Sequence, residues 1–249
     1  MITESIPFQM PVNWTEDLLR QRLQPFHSTI YSWNNLTGSP LNDLRKAAIL
    51  VPLTIQDGEI YVWLTKRSHD LSHDKGCVSF PGGMKDDTDE TAIDTCLREA
   101  REEIGLMEDQ VTILSEHHPL INERGMMITI IVGLVSSDFV PKLNPEEVLK
   151  CFTLPLKRFL SRESHYHELI YFLGEDLQLD HFTDVVEGDE IHTYGMTATV
   201  LMQIAVVLFQ RMPEFSHEEI SLERPFAVFE DRTQFFISLP KNKRRVNKL

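Results

Sequence analysis

Arg98-Glu99-Ala100-Arg101-Glu102-Glu103-Ile104-Gly105-Leu106 is the stretch on which the fold of this chain turns. At about 100° per residue of an α-helix, positions i, i+3 and i+4 are neighbours, so Glu99, Glu102 and Glu103 share one face. Ile93, Cys96, Leu97, Ala100 and Ile104 gather on the opposite side. One face is built to dock into a core while the other presents carboxylates together. The helical periodicity runs from about residue 88 to 104, with Asp87 or Thr88 as the capping residue and Gly105 as the terminator.

Clustered carboxylates repel one another unless a positive charge compensates. A bare acidic string of this kind also suits an ordinary solvated helix face paired with lysines. What sets this one apart is the turn just upstream, Phe80-Pro81-Gly82-Gly83. Paired glycines let the backbone approach a metal ion or a phosphate closely. A hard divalent cation such as Mg²⁺ takes oxygen ligands and commonly bridges protein carboxylates to substrate phosphates.

On the N-terminal side, residues 47–53 form an apolar strand, Gln56-Asp57-Gly58 marks a hairpin turn, and residues 60–64 are the returning strand. On the C-terminal side, residues 111–114 and 127–135 are strands, with turn formers around Asn122 and Gly125 between them. Asn144-Pro145 opens a short segment leading to Leu154-Pro155-Leu156, and a helix is expected from about Thr197 to Arg211, ended by Pro213. Near the start, Thr15 caps a short helix whose Leu18, Leu19 and Leu23 form an apolar stripe. Strands on both sides of one central helix imply a mixed α/β or α+β sandwich, one domain with terminal extensions.

The bulk properties narrow the function. A chain of 249 residues with 42% apolar residues can bury one sizeable core. A net charge of −14 argues against a general nucleic-acid or membrane-surface binder. It leaves polyphosphate substrates open, because bound divalent cations invert the local field. Cys77, Cys96 and Cys151 have neither metal-ligand spacing nor an obvious pairing, which suits a reducing compartment. The opening MITESIPFQM lacks the basic start and apolar core of a secretory signal. No apolar run reaches the roughly 20 residues of a membrane span, so a soluble, intracellular protein is expected.

The glycine turn and the acidic helix together resemble the Nudix box: glycine, five residues, glutamate, seven residues, Arg-Glu, an apolar residue, any, Glu-Glu, any, glycine, apolar. Gly83 and the run 98–106 match, with one extra residue in the loop. Glu90 keeps the seven-residue spacing to Arg98, and Asp89 keeps the shorter spacing to Gly83. The resemblance implies an α+β fold, a Nudix-type α/β/α sandwich with a mixed central sheet. It implies an N-terminal accessory segment (1–44), the hydrolase domain (45–185), a C-terminal helical extension packed on it (186–238) and a basic tail (239–249). Glu99, Glu102 and Glu103 would hold Mg²⁺ or Mn²⁺, with the Gly83 carbonyl as a further ligand. Arg98 would pair with Glu90 to hold loop and helix together. Glu147 sits where the family often supplies another acidic residue. One of the glutamates, or a metal-bound hydroxide, would deliver the attacking water.

The stretch before the box, Leu64-Thr65-Lys66-Arg67-Ser68 through Gly76 to Phe80-Pro81-Gly82-Gly83, resembles the additional motif of the coenzyme A diphosphatase branch of that family. Ser72 stands where the motif has a second arginine, with His73 and Lys75 as nearby substitutes. Arg67, His69, His73 and Lys75 make this loop locally basic in an acidic chain. Asn144-Pro145-Glu146-Glu147-Val148 and Gly195-Met196-Thr197-Ala198 extend the likeness. What it implies is metal-dependent hydrolysis of coenzyme A and acyl-coenzyme A to 3′,5′-ADP and (acyl-)4′-phosphopantetheine, with Arg67, His73, Lys75, Gly82 and Gly83 on the substrate. ADP-ribose or a dinucleotide such as NADH is the alternative substrate, and a non-catalytic nucleotide-binding module the alternative class. The final Asn247-Lys248-Leu249 approximates the Ser-Lys-Leu peroxisomal address, which implies an import receptor as partner and a peroxisomal location in place of a cytoplasmic one.

Overall fold

Strand β1 (Arg45–Gln56) is buried without interruption from Ala47 to Thr54, which only a central strand covered on both faces can be. A computed structural model describes residues 13–71, 73–122, 124–172, 175–217 and 220–238 of the chain. The opening decapeptide, Ser72 and the terminal Asn247-Lys248-Leu249 lie outside the described residues.

β1 turns into β2 (Glu59–Arg67) through Asp57-Gly58, whose positive φ values of 49° and 79° match the twist of a two-residue hairpin. After β3 (Val78–Ser79), β4 (Gly82–Met84) pairs with the start of β1, Gly82 opposite Ile49 and Gly83 opposite Ala48. Gly82 has φ of 149°, and a Cβ there would lie 2.4 Å from the Ala48 carbonyl oxygen, so this crossing excludes any side chain. β5 (Val111–Ile121) and β6 (Met126–Val135) form a hairpin, and β6 runs parallel to β1. β7 (Val148–Pro155) closes the sheet against β2. The result is a seven-stranded mixed sheet with the path β3-β2-β1-β6-β5.

Helix α2 (Ala92–Ile104) covers one face, packing Ala92, Cys96, Ala100 and Ile104 against Ala48, Leu50, Met127 and Ile131. Ala47, Ile49, Ile128 and Ile130 point to the other face, where α1 (Glu16–Leu23) and α3 (Gly195–Phe209) lie. This is the α/β/α sandwich with a mixed central sheet. Leu19 and Leu23 are fully buried and Trp14 meets Phe209 at 5.4 Å, so the N-terminal segment is built into the main core. Helix α4 (Ala227–Ser238) packs on the edge strand β5, where Thr233 donates to the Pro119 carbonyl at 3.3 Å.

Three features depart from expectation. α2 starts at Ala92, not near residue 88, and its cap is Thr91, not Asp87 or Thr88. Thr91 and Asp94 satisfy each other's amides in a capping box, at 3.2 and 2.7 Å. Residues 165–194, for whose part up to 185 no element was expected, form a second, antiparallel sheet of β8 (His165–Phe172), β9 (Glu175–Val186) and β10 (Asp189–Tyr194). β10 therefore places a strand inside the segment 186–238 that was expected to be helical.

Candidate active site

Helix α2 and strand β4 meet edge-on, and the acidic face looks onto the glycine turn. A Cβ on Gly83 would lie 2.5 Å from the Glu99 carboxylate, so only glycine lets that carboxylate close on the backbone. Glu103 is 4% exposed, and its Oε2 accepts from the Gly82 amide at 3.3 Å. Burial, reinforced by the neighbouring charge of Glu99, pushes the Glu103 carboxyl up to about 8. Arg67 on β2, 4.0 Å away, offsets only part of this. Burial also raises Glu99, against the pull of Arg98. Glu102 is more exposed and accepts from Arg98 at 3.1 Å. Glu147, in the loop before β7, is half-buried, and its charge raises both Glu99 and Glu103. Its carbonyl receives the Ser68 amide at 2.8 Å, which ties that loop to the end of β2.

The partner of Arg98 is Asp89, which corrects the expected pairing with Glu90. The guanidinium spans both Asp89 oxygens at 3.1 and 3.0 Å, donates to the Met84 carbonyl at 2.9 Å and reaches Glu99 at 2.9 Å. Glu90 is exposed, and its amide is turned to Asp94 at 3.0 Å. The extra loop residue explains the exchange. Turn 86–89 folds Asp89 inward to 5% exposure, and the helix then begins at the Thr91 cap, leaving Glu90 outside. Burial alone would raise the Asp89 carboxyl. Hydrogen bonds from Arg98, the Asp86 amide and Thr95 outweigh it and bring the group down to about 2.

Glu99, Glu102, Glu103, Arg98, Arg67, Gly82, Gly83 and Glu147 thus converge. His73 and Lys75 do not join them; both stand exposed on the loop between β2 and β3. With Arg98 bonded to Glu99 and Glu102, no three His, Cys, Asp or Glu groups among the described residues enclose an ion as the side chains stand. The donor set nevertheless fits a hard divalent cation. It is all oxygen, it has a glycine cradle, and its most buried carboxyl is short of positive charge.

Gly82, Gly83 and Arg67 also line a cleft of about 520 Å³ that runs under α3 and α4. Sequence patterns gave no sign of several of its walls. Tyr194 comes from the end of β10, and Val228 and Phe229 come from α4, whereas Thr197 of α3 lies in the run 195–198 already singled out. Cys77, at its edge, lies 3.2 Å from the Tyr194 hydroxyl. The cysteines Cys77, Cys96 and Cys151 are all free thiols. No helix among the described residues is long and apolar enough to cross a membrane.

A mixed sheet with this helix, and the box on it, define a Nudix hydrolase: the NUDIX domain model matches residues 43–194, and the chain belongs to that family. It is accordingly a hydrolase of diphosphate bonds, in a family that generally uses divalent metal ions. Its relatives include the peroxisomal coenzyme A diphosphatase NUDT7 of Mus musculus, 35% identical over 192 residues that cover 73% of this chain and 80% of that one. The chloroplastic Nudix hydrolase 22 of Arabidopsis thaliana is 36% identical, over 72% of this chain and 60% of its own. The matched region spans about three fifths of the length of the plant relatives. Among solved structures, a C. elegans Ap4A hydrolase binary complex aligns at 21% identity with a TM-score of 0.41, over 46% of this chain and 82% of that one.

Two outcomes follow from the geometry. Asp89→Asn, which leaves Arg98 without its buried counter-charge, should cost about 2 kcal/mol in denaturant unfolding. Glu90→Gln should stay within about 0.5 kcal/mol of wild type; the reverse order would restore Glu90 as the partner. Glu103 also carries a pH signature. Its folded carboxyl titrates near 8 against an ordinary 4.5, so its contribution to stability is full below 4.5 and is lost as pH rises through about 8. In chelator-treated protein, Glu103→Gln should melt progressively higher than wild type as pH rises across that window. A Tm difference flat in pH by calorimetry would contradict it.

Proposed function

We propose that this chain hydrolyses the diphosphate linkage of coenzyme A and acyl-coenzyme A with Mg²⁺ or Mn²⁺, releasing 3′,5′-ADP and (acyl-)4′-phosphopantetheine. The observation that carries this reading is the position of Arg67. It belongs to the stretch that precedes the box, and it stands 4.0 Å from Glu103 on the wall of the cleft. The likeness to the mouse diphosphatase supports it.

In this reading Glu99, Glu102 and Glu103 are the metal ligands. A cation held there would lower the pKa of water and neutralise charge on the diphosphate oxygens. Everything else is the work of the chain. Glu103 or Glu99, both set against the glycine turn, accepts a proton from the attacking water. Glu147 adds negative charge opposite them. Arg67 offers a forked donor to a phosphate oxygen, and the Gly82-Gly83 backbone admits the diphosphate closely. Arg98, tied to Asp89 and the Met84 carbonyl, fixes the helix against the loop. His73 and Lys75, exposed on the basic loop, meet the ribose 3′-phosphate. The peroxisome is the proposed location. The terminal Asn247-Lys248-Leu249 and the mouse relative's name support it, whereas plant relatives are named chloroplastic and mitochondrial.

A panel of coenzyme A, acyl-coenzyme A, ADP-ribose and NADH with Mg²⁺ or Mn²⁺, products resolved by chromatography, tests the substrate. Release of 3′,5′-ADP should dominate, and Glu103→Gln should lower kcat by about a hundredfold or more. Cleavage of ADP-ribose alone, or an undiminished Glu103→Gln enzyme, would refute the assignment. Removing residues 247–249 from a fluorescent fusion should disperse a peroxisomal signal; an unchanged distribution would count against the address.

A further inference from the structure

The cleft changes character along its length, and the sheet gives it a direction. Gly82 pairs with Ile49 of β1, Ala47 of β1 pairs with Ile128 of β6, and Ile128 pairs with Leu120 of β5; all of these residues line the cleft. Three strand spacings of about 4.8 Å carry it roughly 14 Å from the glycine turn to β5. There α4 closes it with Val228, Phe229 and Arg232, and Asn122 and Arg124 of the turn after β5 line the same end. Along this path Ile49, Leu120, Ile128, Val228 and Phe229 are 4–8% exposed, the residue of surface that faces the cleft. Leu177 and Leu179 of β9 add a further apolar wall. Arg67, at the end of β2, stands beside the carboxylates, and His73 and Lys75 are exposed on the loop that follows, which gives Asp74 to the cleft wall.

A channel of that length, walled mainly by apolar side chains between the glycine turn and the arginines at its β5 end, suits an extended chain. Resting on the coenzyme A reading above, we infer that the pantetheine arm and its acyl group enter this channel, with the 3′,5′-ADP half on the side of the basic loop. Phe229, at the far end, sets how long an acyl chain is accepted. Gln178 and His217, both on the cleft wall and both held on the buried Asp180 carboxylate at 3.0 and 3.2 Å, supply polar groups beside the arm's amides.

The test compares acetyl-, octanoyl- and palmitoyl-coenzyme A on the full-length enzyme, on Phe229→Trp and on Leu177→Phe, which fills the channel from β9. Each variant should lower kcat/KM for palmitoyl- relative to acetyl-coenzyme A by about tenfold or more. A ratio within twofold of wild type in both variants, with Tm retained, overturns the inference; if one variant does not fold, the other decides. Titration calorimetry separates this from failure of the substrate reading itself. Even in an enzyme that cleaved no coenzyme A species, Phe229→Trp should weaken octanoyl-4′-phosphopantetheine at least fivefold and leave 3′,5′-ADP unmoved. Equal effects on both ligands, or on neither, would overturn the orientation.

Discussion

Glu103 is buried with its carboxyl against Glu99, and the rest of the site is arranged around that crowding. Arg98 stands 2.9 Å from Glu99, but Arg67 comes only within 4.0 Å of Glu103, which is left short of positive charge in a low-dielectric corner. The fold tolerates this because the corner is rigid on every side. The Gly82 amide donates to Glu103, and the Asn144 amide donates to the Glu103 carbonyl at 2.9 Å. Arg98 takes up the charge of Glu99 and Glu102 while anchored to Asp89. The same deficit, with burial, lifts the Glu103 carboxyl well above the ordinary range.

β1 is what holds the two halves of the molecule in register. One edge of it carries β2 and β4, the other β6, and its two faces feed separate cores. Through β4 it fixes the glycine turn, and through Ala48 and Leu50 it fixes the helix that bears the glutamates. The cleft opens on its other face, from Ala47 and Ile49. The acidic cluster and the cleft are therefore set by alternate side chains of one strand.

Much of this was legible in the sequence where one period dominates. The 3.6-residue pattern of 92–104, the apolar runs of β1 and β6 and the Asp57-Gly58 turn each specify their element locally, and Thr15 caps α1 as its position suggests. The start of α2 was not legible, because Asp86, Asp87, Thr88 and Thr91 are all competent caps. The choice among them is made by Arg98, which draws Asp89 inward. The sheet of 165–194 escaped because it is half-covered. His, Glu, Asp and Tyr alternate through it, and few of its side chains, Phe182 and Ile191 among them, are fully buried apolar residues. The box glutamates were singled out by their helical spacing together with the glycine turn upstream and the likeness to the Nudix box. Val228 and Phe229 could not be, since an apolar helix residue looks the same whether it faces a core or a channel.

The cleft draws on residues from Ala47 to Arg232, nearly the full span of the described chain. This has a consequence for the order of synthesis. A nascent chain that has emerged as far as Phe209 already carries the box, its glutamates and the Arg98 brace. Yet α4, the wall beyond β5, is still unmade, and the apolar lining lies open to water. The carboxylate cluster is thus encoded ahead of the wall that covers the cleft, which waits for residues 227–238.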